Sequence, residues 1–201
     1  MGLQKLIVLV KAPRPGWVKT RLASGGLGFE GAANAYRSLV RDLLGTLAPL
    51  DGVELRFAPD DAGAEIAGWL KPSWTASPQG EGDLGGRLAR AFDAAFAAGA
   101  DRVLVIGSDC PFVELADLAE AWEALHTHDV VIGPAADGGY WLVGLRQSQP
   151  ALFQNMPWST SRVFELTEQR AQQSGLFLHL CRVLGDVDSI EDWEAYTNGR
   201  P

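Results

Sequence analysis

The chain has 201 residues, 47% of them hydrophobic and 21% charged, which excludes a disordered or fibrous protein and allows a packed core. At this length about 70% of the unfolded surface can be buried in one unit, so residues 1–201 are expected to form a single domain. The net charge of −8 excludes a broad nucleic-acid footprint, which needs a Lys/Arg surface to displace phosphate counterions.

Leu6, Ile7, Val8, Leu9 and Val10 form a continuous apolar run, the pattern of a strand buried on both faces. Residues 31–47 then place Ala32, Tyr36, Leu39, Val40, Leu43, Leu44 and Leu47 at helical spacing. A strand is predicted over 53–57 and a short helix over 62–70. A Pro/Gly-rich stretch over 72–82 precedes an Ala-rich helix over 84–98. Residues 102–106 are the clearest strand. A helix over 114–125, a strand over 129–132, a strand or hairpin arm over 140–145, a helix over 160–173, an extended segment over 176–183 and a helix over 190–196 complete the chain.

Strands alternating with helices predict a three-layer α/β/α fold around a mainly parallel sheet. The break in alternation near 129–145 predicts one antiparallel strand. No apolar stretch approaches the ~20 residues needed to span a bilayer, and the first run is too short for the core of a signal peptide. Cys110 and Cys181 are the two cysteines, and both lie in apolar runs. That argues against a disulfide framework and for a reducing, cytoplasmic setting.

In open α/β sheets ligands sit beyond the carboxyl ends of the strands, so the loops after Val10, Ile106 and Ile132 are expected to share a cleft. An acidic protein that binds an anion must concentrate positive charge at one place. The first loop does so with Lys11, Arg14, Lys19 and Arg21, while Pro13 and Pro15 stiffen it and Gly16 lets backbone N–H groups approach a phosphate. The plain alternative is a solvated basic loop. The paired glycines of a Walker A loop are missing, so no kinase or ATPase reading follows.

After the clearest strand stand Gly107, Ser108, Asp109, Cys110 and Pro111. Asp109 serves either as a metal ligand or as a helix cap. Asp186 and Asp188 precede the last helix, where they or Ser189 can cap it. With Asp109 they can also hold Mg²⁺ or Mn²⁺, which favour oxygen ligands. Asp137, Gly138, Gly139 and Tyr140 form either a simple hairpin turn or an acceptor pocket, with Asp137 bonding a hydroxyl or acting as base and Tyr140 giving a flat wall. Gln79, Gly82, Asp83, Leu84 and Arg87 open the Ala-rich helix. They suit contact with a base or ribose, or Arg87 ties helix to loop. Cys110 beside Asp109 reads as an apolar filler and not as a nucleophile, because a neighbouring carboxylate raises a thiol pKa, and His126, His128 and His179 all lie outside the cleft loops.

Five strings, Lys11-Ala-Pro-x-Pro-Gly-x-Val-Lys-Thr-Arg-Leu22, Gln79-x-x-Gly-Asp-Leu-Gly-x-Arg87, Gly107-Ser-Asp-Cys-Pro111, Gly133-Pro-Ala-x-Asp-Gly-Gly-Tyr140 and Asp186-Val-Asp-x-x-x-Asp192, run in order from one end of the chain to the other. Together they resemble the bacterial family called radical-SAM/selenodomain-associated transferase 1, a domain of unknown function among the nucleotide-diphospho-sugar transferases. The resemblance implies a Rossmann-like glycosyltransferase-A fold and a metal-dependent transferase. The donor would be a nucleotide-sugar or nucleoside triphosphate and the acceptor a small molecule, with nucleotidyl transfer of the guanylyl or cytidylyl type as one alternative and a non-catalytic nucleotide-binding module as another.

Carried over by position, Lys11, Ala12, Pro13, Arg14, Gly16, Lys19 and Arg21 would cradle the phosphates, with Lys19 and Arg21 stabilising the leaving oxygen. Gln79, Gly82, Asp83, Leu84 and Arg87 would complete the nucleotide site. Asp109 and Asp188 would hold Mg²⁺ or Mn²⁺, with Asp186 as the alternative second ligand. Asp137, Gly138, Gly139 and Tyr140 would meet the acceptor.

Overall fold

The structure, a computed structural model, describes residues 2–199. Strand β1 spans Gln4–Lys11, and a helical turn α1 (Thr20–Leu22) runs through a π-type segment at Ala23–Leu27 into α2 (Gly28–Thr46). There follow β2 (Glu54–Ala58), α3 (Gly63–Ile66), β3 (Thr75–Pro78), α4 (Leu84–Ala97), β4 (Arg102–Gly107) and α5 (Leu115–Ala124). Strands β5 (Val130–Pro134) and β6 (Tyr140–Leu145), helix α6 (Val163–Gln173), strand β7 (Leu178–Leu180) and helix α7 (Ile190–Asn198) complete the order.

All seven strands join one sheet in the order β3-β2-β1-β4-β6-β5-β7. Only β6 is antiparallel to its neighbours, β4 and β5, as the broken alternation over 129–145 predicted. The fold is therefore the expected three-layer, mainly parallel Rossmann-like sheet. No described helix is long and apolar enough to cross a membrane.

Strand β1 shows why its sequence is apolar at every position from Leu6 to Val10. Leu6, Val8 and Val10 pack with α2 and α5, through Tyr36, Val40, Leu43, Leu118 and Ala121. Ile7 and Leu9 face the other layer with Leu88, Ala91 and Phe92 of α4 and Ala171 of α6. A strand covered on both faces needs no polar alternation.

Three elements depart from the sequence reading. Strand β3 lies inside the Pro/Gly-rich stretch and is mostly exposed, so no apolar alternation announces it; pairing with β2 from Glu54↔Thr75 to Phe57↔Pro78 makes it a strand. The helix expected over 62–70 shortens to one α turn followed by a 3₁₀ turn at Ala67–Trp69, where Gly63 and Gly68 weaken helix propensity. Helix α6 begins at Val163 because Thr160 forms a turn, its Oγ1 donating to the Pro157 carbonyl at 2.7 Å.

Candidate active site

β1 and β4 are adjacent and parallel, and in the strand order β1 leads on to β2 in one direction while β4 leads on to β5 in the other, which marks the crevice where such folds bind ligands. The cleft there has a volume of about 550 Å³, within the range of small-molecule sites. Lys11, Lys19 and Arg21 from the first loop, Asp109 from the second and Asp137, Gly139 and Tyr140 from the third all line it. The three loops expected to converge do so, and Asp186 and Asp188 join them from the C-terminal segment.

Lys19 lies at the centre of this arrangement. Its backbone is left-handed, with φ 46°, a conformation costing roughly 1–2 kcal/mol for an ordinary residue. Its side chain is only 5% exposed, and its Nζ sits 2.6 Å from Asp188 Oδ1 and 3.2 Å from Asp109 Oδ2. Burial alone disfavours the ammonium, but Asp109 and Asp188 outweigh it and raise the pKa, so the buried charge persists. Arg21, largely exposed, approaches Asp188 Oδ2 at 3.7 Å.

The carboxylates are not occupied as caps. Ser189 caps α7, accepting from Asp192 N while Asp192 accepts from the backbone of Ser189 and Asp188, which leaves the Asp186 and Asp188 side chains for the cleft. Glu114 and Asp117 form the capping box of α5, which relieves Asp109 of that role. Asp186 is pushed up to about 7, first by burial and then by Asp109, with Asp188 and Asp137 adding to it against Lys19. Several carboxylates thus crowd one buried ammonium.

Behind the cleft, Tyr36 of α2 fastens the first loop to the second. Its hydroxyl accepts from Lys11 N at 2.8 Å and pairs with Ser108 Oγ at 2.7 Å. Tyr36 was not a candidate from sequence, because a tyrosine at a core position of a helix carries no local functional signal.

Several expected phosphate and nucleotide contacts are committed elsewhere. Arg14 turns away from the cleft and forks onto Glu65 and Asp61 at 2.6 and 3.0 Å, with its guanidinium over the Trp17 ring; two nearby carboxylates hold it more firmly than an open loop could. Ala12 and Pro13 are buried behind the loop, and Gly16, at φ +81°, shapes the bend without lining the cleft. Asp83 is the N-cap of α4, accepting from Gly86 N at 2.8 Å. Arg87 ties helix to loop through Gly82 O and Gln79 Oε1. Gln79 and Leu84 do line the cleft, although the Gln79 amide already donates to Val10 O and Arg56 O, both at 2.9 Å.

On the far side, Asp137 Oδ1 accepts from Gly139 N at 2.8 Å and closes the turn before β6. Gly138, at φ +87°, lies so near Ser161 that a Cβ there would come within 2.2 Å of its carbonyl oxygen. Tyr140 forms a wall with Trp158, ring centroids 6.4 Å apart and edge to face. Its hydroxyl is buried toward Thr167, so the ring and not the oxygen is what it offers. Trp158, Ser159 and Thr160 also line this side. A Pro-Trp-Ser-Thr-Ser string is loop-like in composition, yet nothing in it shows which cleft it covers. Cys110 is buried, and burial first and Asp186 second push its thiol up to about 12, consistent with a filler.

Residues 46–160 match the family DUF2064, described as uncharacterized proteins conserved in bacteria. The chain belongs to this family. A crystal structure from Desulfovibrio desulfuricans, named as a candidate nucleotide-diphospho-sugar transferase, is 34% identical and superposes with a TM-score of 0.89, covering 100% of this chain and 89% of that one. Two more distant structures share the fold. One is CMP:2-keto-3-deoxy-manno-octonic acid synthetase complexed with CTP, at 10% identity and TM-score 0.61, with 98% and 97% of the two chains covered. The other is a cytidylyltransferase from Leptospira borgpetersenii, at 13% identity and TM-score 0.62, with 98% and 85% covered. No curated protein matches the chain.

Proposed function

We propose that this member of the DUF2064 family is a metal-dependent transferase that binds a nucleotide-sugar donor in the cleft and passes the sugar to a small acceptor. The observation that carries this reading is Lys19 Nζ held between Asp109 and Asp188, with the exposed Arg21 beside them and Lys11 on the same rim. The pair already holds one cation, and its all-oxygen donors match the preference of Mg²⁺ or Mn²⁺, so the residues present fit that ion. Asp109 and Asp188 would hold it, with Asp186 alongside. A bound divalent ion would supply charge neutralisation of a diphosphate.

Within that site the chain's own residues divide the work. Lys11, Lys19 and Arg21 bind the phosphates, and Lys19 and Arg21 stabilise charge on the departing diphosphate. Leu84 and Gln79 border the nucleoside. Asp137, across the cleft, accepts a proton from an acceptor hydroxyl, while the faces of Tyr140 and Trp158 wall that side. The 34% identical relative, named for nucleotide-diphospho-sugar transfer, supports a sugar donor. The cytidylyl-type structures, at 10–13% identity, support the fold alone.

The test is thermal stability against nucleoside triphosphates and nucleotide-sugars, each with and without Mg²⁺ or Mn²⁺. A donor at 100 times its Kd stabilises the protein by about 2.7 kcal/mol. One nucleotide-sugar should raise the melting temperature only with metal, and Asp109→Ala should abolish the rise. A wild type that responds to no compound on the panel would sink the proposal. A metal-dependent shift with triphosphates alone would replace glycosyl by nucleotidyl transfer.

A further inference from the structure

Where β7 and its continuation meet α5, Glu120, His179 and Cys181 come together, each offering one ligand atom, with all three atoms within 4.8 Å of one another. His179 lies on β7, with Cys181 two positions along the same extended segment, so alternation points their side chains to one face; Glu120 comes from α5. We propose that this cluster is a structural zinc site, independent of the cleft, that clamps the β7 edge of the sheet to α5.

The ligand chemistry selects the metal. One thiol, one imidazole and one carboxylate suit zinc, whereas Mg²⁺ and Ca²⁺ take oxygen alone. Tetrahedral zinc with bonds of 2.0–2.3 Å sets its ligand atoms about 3.4 Å apart, so the cluster needs to close by an ångström or so. The half-exposed Glu120 and His179 side chains can supply that, being 48% and 30% exposed, and they already meet at 2.8 Å between His179 Nε2 and Glu120 Oε1. Cys181 is 6% exposed and would bind as thiolate, its proton passing to solvent.

In this proposal the fourth ligand is His128, which lies beside the group of three and outside it. The His128 ring is 5.4 Å from that of His179, edge to face. Its Nδ1 lies 3.2 Å from the Ala124 carbonyl and 3.0 Å from Thr127 Oγ1, and the tautomer that donates from Nδ1 to the carbonyl leaves the Nε2 lone pair for a metal. A backbone carbonyl fixing one ring nitrogen while the other faces a metal is the usual outer support of a ligating histidine. The platform is braced next door, where Arg182 forks onto Asp117 of α5 at 2.6 and 2.8 Å. From Cys181 the chain continues through Leu184, bridged to Ala135, to Asp186 and Asp188, so the clamp fixes the origin of the segment that brings these carboxylates to the cleft.

The experiment uses the full chain, stripped with chelator and titrated with Co²⁺ and then Zn²⁺. Wild type should develop a thiolate-to-cobalt charge-transfer band that saturates at one equivalent and is bleached by one equivalent of Zn²⁺, and metal analysis after desalting should return one zinc per chain. Cys181→Ser should lose the band and His179→Ala should weaken zinc binding at least tenfold, while Cys110→Ser and Asp109→Ala should keep both. A wild type without the band and without retained zinc overturns the proposal. So does a band that survives Cys181→Ser or vanishes with Cys110→Ser.

Discussion

Lys19 combines a left-handed backbone with a buried ammonium between two carboxylates, and both features are costly unless the surroundings impose them. In the proposed site it would compete with a divalent ion for the same oxygens while contributing charge to a bound diphosphate. Lys19→Met should therefore bind Mn²⁺ about tenfold more tightly in the absence of nucleotide, a difference of about 1.4 kcal/mol. The same variant should lose most of its affinity for the metal-nucleotide pair. Calorimetric titration with Mn²⁺ alone and with Mn²⁺ plus donor separates the two effects. Unchanged Mn²⁺ affinity in the variant would mean that the ion does not bind between Asp109 and Asp188.

The turn that joins β5 to β6 places Asp137 in the same cleft as Lys19, and its shape depends on one residue. At Gly138 the φ of +87° and the Ser161 backbone 2.2 Å from a would-be Cβ leave no room for a side chain. Gly138→Ala should cost about 2 kcal/mol or more, from the left-handed backbone and from displacing the 157–162 segment. Denaturant unfolding measures it, and a variant as stable as wild type would show that this segment yields freely. The capping pattern near the cleft is also decided at this level. Ser189, Asp83 and Glu114 cap α7, α4 and α5, and that division of labour leaves the Asp188 and Asp109 side chains to meet Lys19 in the cleft. Each of these positions was legible as polar and close to a helix start, but several residues compete for each cap, and only the backbone path chooses among them.

Across the whole molecule, the sheet gathers the charged residues of the cleft at the carboxyl ends of its strands and carries structural charge toward the other end. Glu54 of β2 accepts from Ser77 at 2.7 Å and pairs with Arg56 and Lys5. Burial raises its pKa, but Ser77, Arg56 and Lys5 outweigh burial and bring it below the ordinary value. A carboxylate depressed in the folded state adds stability above the unfolded value near pH 4, and that contribution is lost as pH falls through the lower folded value. Glu54→Gln should therefore lose on the order of 1–3 kcal/mol at pH 7 and close the gap to wild type below about pH 4. Parallel unfolding curves at pH 7 and pH 3 test this, and a gap that stays constant would assign the loss to packing instead of charge.

What the sequence determined by itself is local and periodic. The double-faced apolar run of β1, the Ala-rich α4 and the clear β4 announce a parallel sheet, because burial on both faces leaves its mark on consecutive residues. Lys11, Lys19, Arg21, Asp109, Asp137 and Asp188 were legible because charged residues in loops after buried strands have few structural reasons to be there. Tertiary structure decided the pairings. It turned Arg14 onto Glu65 and Asp61, gave Asp83 to a helix cap, made β3 a strand by docking it on β2, and brought Tyr36 and Ser108 together behind the first loop. It also joined Glu120 to His179 and Cys181, and the 59 positions between Glu120 and His179 hide that meeting from any local pattern. Contacts between distant segments depend on how layers pack, and that depends on every core residue at once.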